Sequence, residues 1–381
     1  MEETEPFPQI WNRDRPENSV FQNTPSDTES EDHEDLVRST AARRQIPKPE
    51  PITIPKPIKT LLKHTIIILS IIYILIPTIF LLFGEKILPA LFYLYPLSYS
   101  KLGIKTCSIT SYHPELTGEN INIHQKKGGN YAIPAFWIPA SKKSHIIVYA
   151  HGSGFDRCKQ TRIQNYKTLN ELGYSVLAFD YGGFSNSTKS APDADSLMHD
   201  VETVLEFAEN IRNPDPKKSN SERKIVLWAH SLGTVVSTRA IKETQAGRFL
   251  DALVLEAAHA DLVRVVVVDH PWPEPVRKVY GNLMVEKGVE YFKKSLKLDK
   301  FDTLVNVEAV AELSLPTIIL HAEDDEEVPI AHGEDIFTRL KHRIPELHFI
   351  KSGREEKLGH YCLDKMADRW SGVLERILDE N

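Results

Sequence analysis

A serine hydroxyl attacks a carbonyl only when a base removes its proton and an acid orients that base, so the residues that matter are a serine, a histidine and a carboxylate. Ala229-His230-Ser231-Leu232-Gly233 supplies the serine, between an apolar run and an amphipathic stretch. This is the context of a tight strand-to-helix turn, a G-x-S-x-G-like pentapeptide with Ala229 in place of the first glycine. Small residues are required on either side of such a serine because the backbones pack closely there. A helix starting at the serine brings N–H groups and partial positive charge to a developing oxyanion.

On such a turn the acid and then the base follow the nucleophile along the chain. Ala322-Glu323-Asp324-Asp325-Glu326-Glu327-Val328-Pro329 follows one apolar run, and Gly359-His360-Tyr361 follows the next. Asp325, which precedes x-x-Val-Pro, is the expected acid, with Asp324 as the alternative; His360 is the expected base. The oxyanion donors expected are the N–H of Leu232 and one from Ala150-His151-Gly152-Ser153-Gly154, Ser153 first and Gly154 second. His151, Gly152 and His230 complete the candidate substrate-binding set, although His151 reads more as a structural residue of its loop. Cys107, Cys158 and Cys362 are far apart and lack metal-ligand spacing, so neither a metal nor another cofactor is expected. They leave room for one disulfide in an oxidising compartment, or for free buried thiols.

Strands must present these residues from one edge. Short runs rich in β-branched and aromatic residues recur at Ala132–Ile138, His145–Tyr149, Ser175–Tyr181, Lys224–Trp228, Ala252–Glu256, Thr317–His321 and Leu347–Lys351. Amphipathic stretches lie between most of them: Gln164–Leu172, Ser196–Ile211, Thr234–Glu243, Ala331–Lys341 and Leu363–Leu378. Near-continuous apolar strands are covered on both faces, which predicts a mostly parallel sheet flanked by helices over 104–381. The acid and base then both follow carboxyl ends of strands, where open α/β sheets meet their ligands. Residues 259–312 form an insert longer than an ordinary loop, expected to be a lid whose apolar residues either line an acyl pocket or pack the lid on the core.

Ahead of this domain, residues 1–56 are rich in acidic, Ser, Asn and Pro residues and read as a disordered tail. Residues 57–86 hold an uncharged stretch from Thr65 to Phe83, long enough to cross a hydrocarbon core of about 30 Å, and lie too far from Met1 for a cleaved signal peptide. Residues 87–103 read as an apolar juxtamembrane linker. Lys56, Lys59 and Lys63 precede the span and only Lys86 closely follows it, which predicts a cytoplasmic N-terminus and a lumenal domain in a secretory-pathway membrane such as the endoplasmic reticulum. Asn186-Ser187-Thr188 is then a glycan sequon. The net charge of −7 offers no basic field for nucleic acid, and 41% hydrophobic with 26% charged residues suits a globular domain.

Tyr149-Ala150-His151-Gly152, Phe179-Asp180-Tyr181-Gly182-Gly183-Phe184, His230-Ser231-Leu232-Gly233 and Ile319-Leu320-His321-Ala322-Glu323-Asp324-Asp325 together resemble the membrane-anchored α/β-hydrolase-domain family that includes the lysophosphatidylserine and monoacylglycerol lipases. The resemblance covers about Lys101 to the C-terminus. It implies an α/β-hydrolase fold, a triad of Ser231, Asp325 and His360, and hydrolysis of a lysophospholipid or monoacylglycerol ester through an acyl-serine. Ala229, Ser153 (where such lipases often carry Asn) and Asn186 (where Asp is usual) depart from the family pattern. A protein depalmitoylase using the same triad, or a catalytically inactive membrane scaffold, are the other readings.

Overall fold

The computed structural model describes residues 64 and 116–380, apart from 141–143, 190–191, 215–221, 262–263 and 266–302. The chain divides at residue 64, and everything below concerns the second unit, Thr65–Asn381. The expected tail, span and linker lie outside the described residues. Among those described, no helix is long and apolar enough to cross a membrane.

Eight strands form one sheet: β1 (Glu119–Gln125), β2 (Tyr131–Ile138), β3 (Ile146–Ala150), β4 (Ser175–Phe179), β5 (Ile225–His230), β6 (Ala252–Glu256), β7 (Thr317–His321) and β8 (Leu347–Lys351). Their order is β1-β2-β4-β3-β5-β6-β7-β8. β2 runs antiparallel to β1 and to β4, and every other pairing is parallel. β3 to β7 are buried at every position, which is why they read as unbroken apolar runs rather than as alternating ones. Seven strands lie where the sequence predicts them, to within a residue or two. β1 is absent from the sequence reading because Glu119-Asn120-Ile121-Asn122-Ile123-His124-Gln125 is an edge strand with only two apolar residues, and those mark a single half-covered face.

Among the described residues six α-helices cover the sheet: α1 (Gln160–Glu171), α2 (Ala194–Arg212), α3 (Leu232–Glu243), α4 (Thr303–Glu312), α5 (Ala331–Leu340) and α6 (Ala367–Glu380). α2 starts where Asp193 accepts the Ser196 N–H and the Ser196 hydroxyl returns toward the Asp193 backbone, a capping box. Period-two alternation along each strand divides the core into two layers. Ile146, Val148 and Ala150 of β3 face the layer that holds α2, α3, α4 and α5, whereas Ile147 and Tyr149 face α1 and α6. α4 occupies the last ten residues of the expected lid and buries Val307 and Val310 in the first layer. Residues 266–302 of that insert lie outside the described residues.

The parallel strands all end at one edge, and each end delivers one part of the site. β3 leads into His151, β5 into Ser231 and β6 into Glu256, while β7 leads to Asp325 and β8 to His360.

Candidate active site

Between β5 and α3 the chain turns so sharply that Ser231 adopts φ 54° and ψ −122°, a conformation rare for a residue with a Cβ. The turn is held by neighbours in space. The Ser231 N–H donates to Glu256 O at 2.9 Å, and the Ser231 carbonyl accepts from the Thr234 N–H at 2.9 Å and hydroxyl at 2.7 Å. Gly233 passes so close to β3 that a Cβ there would lie 2.2 Å from Ala150 O. Gly152 lies as tightly on the other side, where a Cβ would meet Ser231 Cβ at 2.9 Å. The loop after β3 is therefore in van der Waals contact with the serine.

His360 and Asp325 meet across the same edge. His360 Nδ1 donates to Asp325 Oδ2 at 2.8 Å, and Asp325 Oδ1 accepts the N–H groups of Glu327 and Val328 at 2.9 Å each. Burial disfavours the imidazolium, but the hydrogen bond and charge of Asp325, with Glu327 and Glu256 nearby, raise the His360 pKa above its ordinary value. Burial likewise works to raise Asp325, and His360 outweighs it, leaving the carboxyl below its usual range. The pair is thus poised to hold a proton on the ring. Asp324 has a different place: its carboxylate accepts the N–H groups of Leu358 and Gly359 at 3.1 Å and so anchors the loop that carries His360.

That loop is tied to the serine turn from the other side. His230 Nε2 donates to His360 O at 3.0 Å, and the Tyr361 ring stacks on His230 with centroids 4.5 Å apart. His360 and His230 rings stand edge to face at 4.8 Å, one residue from Ser231. Among the described residues no hydrogen bond joins Ser231 Oγ to His360 Nε2; such contacts commonly tighten only when substrate binds.

The loop after β3 is shaped by Arg162, a fully buried residue in the first turn of α1. Its guanidinium donates to three carbonyls of the loop: Gly152 O at 3.0 Å, Gly154 O at 2.6 Å and Asp156 O at 2.7 Å. In a trans peptide the N–H points opposite to the C=O. Drawing Gly152 O toward Arg162 therefore turns the Ser153 N–H away from Arg162. No equivalent constraint fixes the Gly154 N–H. Leu232, the other expected donor, is the first residue of α3, where N–H groups have no partner within the helix.

The remaining candidates support the site without facing it. His151 is fully buried, with Nδ1 2.7 Å from Gly152 O and Nε2 3.1 Å from Asp180 Oδ1, and packs on Tyr181 and Phe184. It presents no surface to a substrate, which corrects its place in the substrate-binding set. His230 is fully buried as well, with Nε2 bonded to the His360 loop and Nδ1 without a hydrogen-bond partner among the described residues. Gly152 is buried too and serves by its lack of a side chain. Sequence reasoning missed Arg162, Arg157 and Asp180 as parts of the site. The Asp180 carboxylate pairs with Arg157 and accepts its N–H at 2.6 Å, and although burial opposes the charge these partners hold its pKa down at about 2. The signal for Arg162 was weak: it is one of several basic residues, with Arg157 and Lys159, around a polar helix start. Of the cysteines, Cys158 is disulfide-bonded and Cys362 is a buried free thiol. No cluster among the described residues could hold a metal ion.

A serine, histidine and carboxylate at successive strand ends, with two N–H groups beside the serine, can transfer an acyl group through a covalent ester. The profile of the family described as serine aminopeptidase, S33, matches residues 141–306. An alpha-beta hydrolase of Vibrio vulnificus superposes with a TM-score of 0.56 at 13% identity, covering 77% of this chain and 92% of that one. A Pyrococcus furiosus esterase superposes with a TM-score of 0.51 at 15% identity, covering 70% of this chain and 93% of that one. The chain has the α/β-hydrolase fold. Within that fold the human protein ABHD12B is 35% identical over 204 residues, 53% of this chain and 52% of its own. The lysophosphatidylserine lipase ABHD12 of Danio rerio is 31% identical over 206 residues, 53% of this chain and 50% of its own. The chain spans about half the length of the curated relatives it matches, and it resembles them as the sequence motifs imply.

Proposed function

We propose that the protein is a serine hydrolase of lipid carboxylic esters, with Ser231 as nucleophile, His360 as general base and Asp325 as its orienting acid. The carrying observation is the 2.8 Å His360–Asp325 hydrogen bond beside a serine in a strained turn. His360 takes the Ser231 proton as the hydroxyl attacks the acyl carbonyl. The oxyanion is received by the N–H groups of Leu232 and Ser153, His360 returns the proton to the departing alcohol, and water reverses the sequence on the acyl-serine. The similarity to lipases of lysophosphatidylserine supports a lysophospholipid as substrate, with monoacylglycerol the neighbouring class. Anchoring by Thr65–Phe83 would bring the site to substrates concentrated in a bilayer. The disulfide at Cys158 supports a domain in the oxidising lumen of the secretory pathway.

The test is fluorophosphonate labelling of the full chain in membranes, wild type against Ser231→Ala, competed by lysophospholipids, monoacylglycerols and acyl-cysteine peptides. Serine-dependent labelling, competed best by the lysophospholipid, is expected, and His360→Ala should lower turnover by about a thousandfold or more. Labelling that survives in Ser231→Ala refutes the assignment. Competition by acyl-cysteine alone would replace lipid esters with protein thioesters.

A further inference from the structure

Glu256 ends β6 with its carboxylate sealed from solvent, beside a site that already has its acid. A carboxylate in such a place is costly unless donors surround it. Here they do: Oε1 accepts the N–H groups of Cys362 at 3.1 Å and Leu363 at 3.0 Å, with Cys362 Sγ at 3.7 Å, and Oε2 accepts Trp228 Nε1–H at 2.8 Å. Every partner is a donor, which favours the carboxylate, while burial works against it more strongly and leaves the Glu256 pKa above its ordinary value. The two amides belong to the second and third residues after His360. The backbone of the same glutamate carries the other half of the site, since its carbonyl accepts the Ser231 N–H at 2.9 Å and it stands opposite His230 in the β5–β6 register.

We propose that Glu256 is a positioning residue that holds the His360 loop at its working distance from Ser231 and lends a second buried negative charge to the imidazolium. Asp325 acts on the ring itself, whereas Glu256 acts on the backbone behind it. The two have separate effects: Asp325 sets the tautomer and Glu256 sets where the ring stands. Glutamine at this position keeps one acceptor oxygen and sets an NH2 against donors, so either the two buried amides or the indole N–H loses its acceptor and the loop drifts. The inference rests on the serine-hydrolase reading above.

The experiment measures the second-order rate of fluorophosphonate labelling against pH on the full chain in membranes, for wild type, Glu256→Gln, Glu256→Asp and Ser231→Ala. The folded fraction of each is taken from thermal melting. Per folded molecule, Glu256→Gln is expected to label at least about tenfold more slowly, with its inflection about one pH unit lower, because a nearby buried charge on the imidazolium is gone. Glu256→Asp keeps the charge but is shorter by a methylene, so its inflection stays near that of wild type while its rate falls less than that of the glutamine variant. A glutamine variant equal to wild type in rate and inflection overturns the proposal. Should that variant fail to fold, an aspartate variant whose inflection falls by a full unit overturns it instead. Labelling that persists in Ser231→Ala sinks the reading of the whole site, whereas serine-dependent labelling with indifferent Glu256 variants sinks only the positioning role.

Discussion

The two small residues flanking Ser231 are not equivalent. Gly233 faces the Ala150 carbonyl at a distance no Cβ can occupy, while the Ala229 methyl is part of the core layer under α3. The departure from two glycines is thereby explained: the position two residues after the serine is sterically closed. Gly233→Ala should abolish labelling and lower the melting temperature sharply, whereas Ala229→Gly should cost about 1 kcal/mol or less, as checked by urea unfolding. Because a general base must be neutral and the His360 pKa is raised, the hydrolysis rate should climb through an inflection above 6.5 as pH rises. Asp325→Asn should lower that inflection and reduce kcat by roughly ten-thousandfold; a profile unmoved by the change would speak against the pairing. The serine, acid and base were legible because their order along the chain is fixed by the order of the strands. Arg162 and Glu256 were not, because each binds backbone atoms of a segment that only folding brings near, and no spacing in the sequence encodes that.

At the level of elements, the loop between β3 and α1 is held by buried charge. Asp180, just past β4, meets Arg157 and His151 in that loop, so the loop's position depends on β4 as much as on β3. Its carboxyl pKa is depressed to about 2, so the stability it contributes is fully present above the unfolded value near 3.8 and is lost as pH falls from about 4 to 2. Asp180→Asn should remove about 3–5 kcal/mol, because it leaves the Arg157 guanidinium buried without its charge partner, and should flatten the acid limb of a stability–pH curve. Arg162→Met tests the neighbouring contact: it frees three loop carbonyls, and a fall in kcat with KM little changed is expected, since the N–H it orients serves the transition state. Strands buried on both faces announced themselves in the sequence, but β1, polar and one-sided, did not. α4 was hidden inside the expected lid because Leu304, Val305, Val307, Ala309, Val310 and Ala311 lie round most of the helix and leave little polar face to show a period.

At the level of the whole molecule, the proposed lumenal orientation has a direct consequence at Asn186, which is exposed in its sequon after β4. The full chain made in secretory membranes should shift on endoglycosidase treatment, and Asn186→Gln should remove the shift; a chain carrying no glycan would argue for the opposite orientation. The apolar stretch that suggests the anchor was plain from composition. Helices on both faces of the sheet were expected too, but which helix covers which face was not, because that is decided by handedness of the crossovers rather than by local pattern.

The site draws on both layers. Ser231 opens into α3 on one face of the sheet, whereas His360 is followed by α6 on the other, and neither layer alone holds a working pair. Hydrolytic power therefore arrives all at once, when both sides have docked. On the proposed mechanism, a ribosome-bound chain halted anywhere before residue 360 would carry an inert serine.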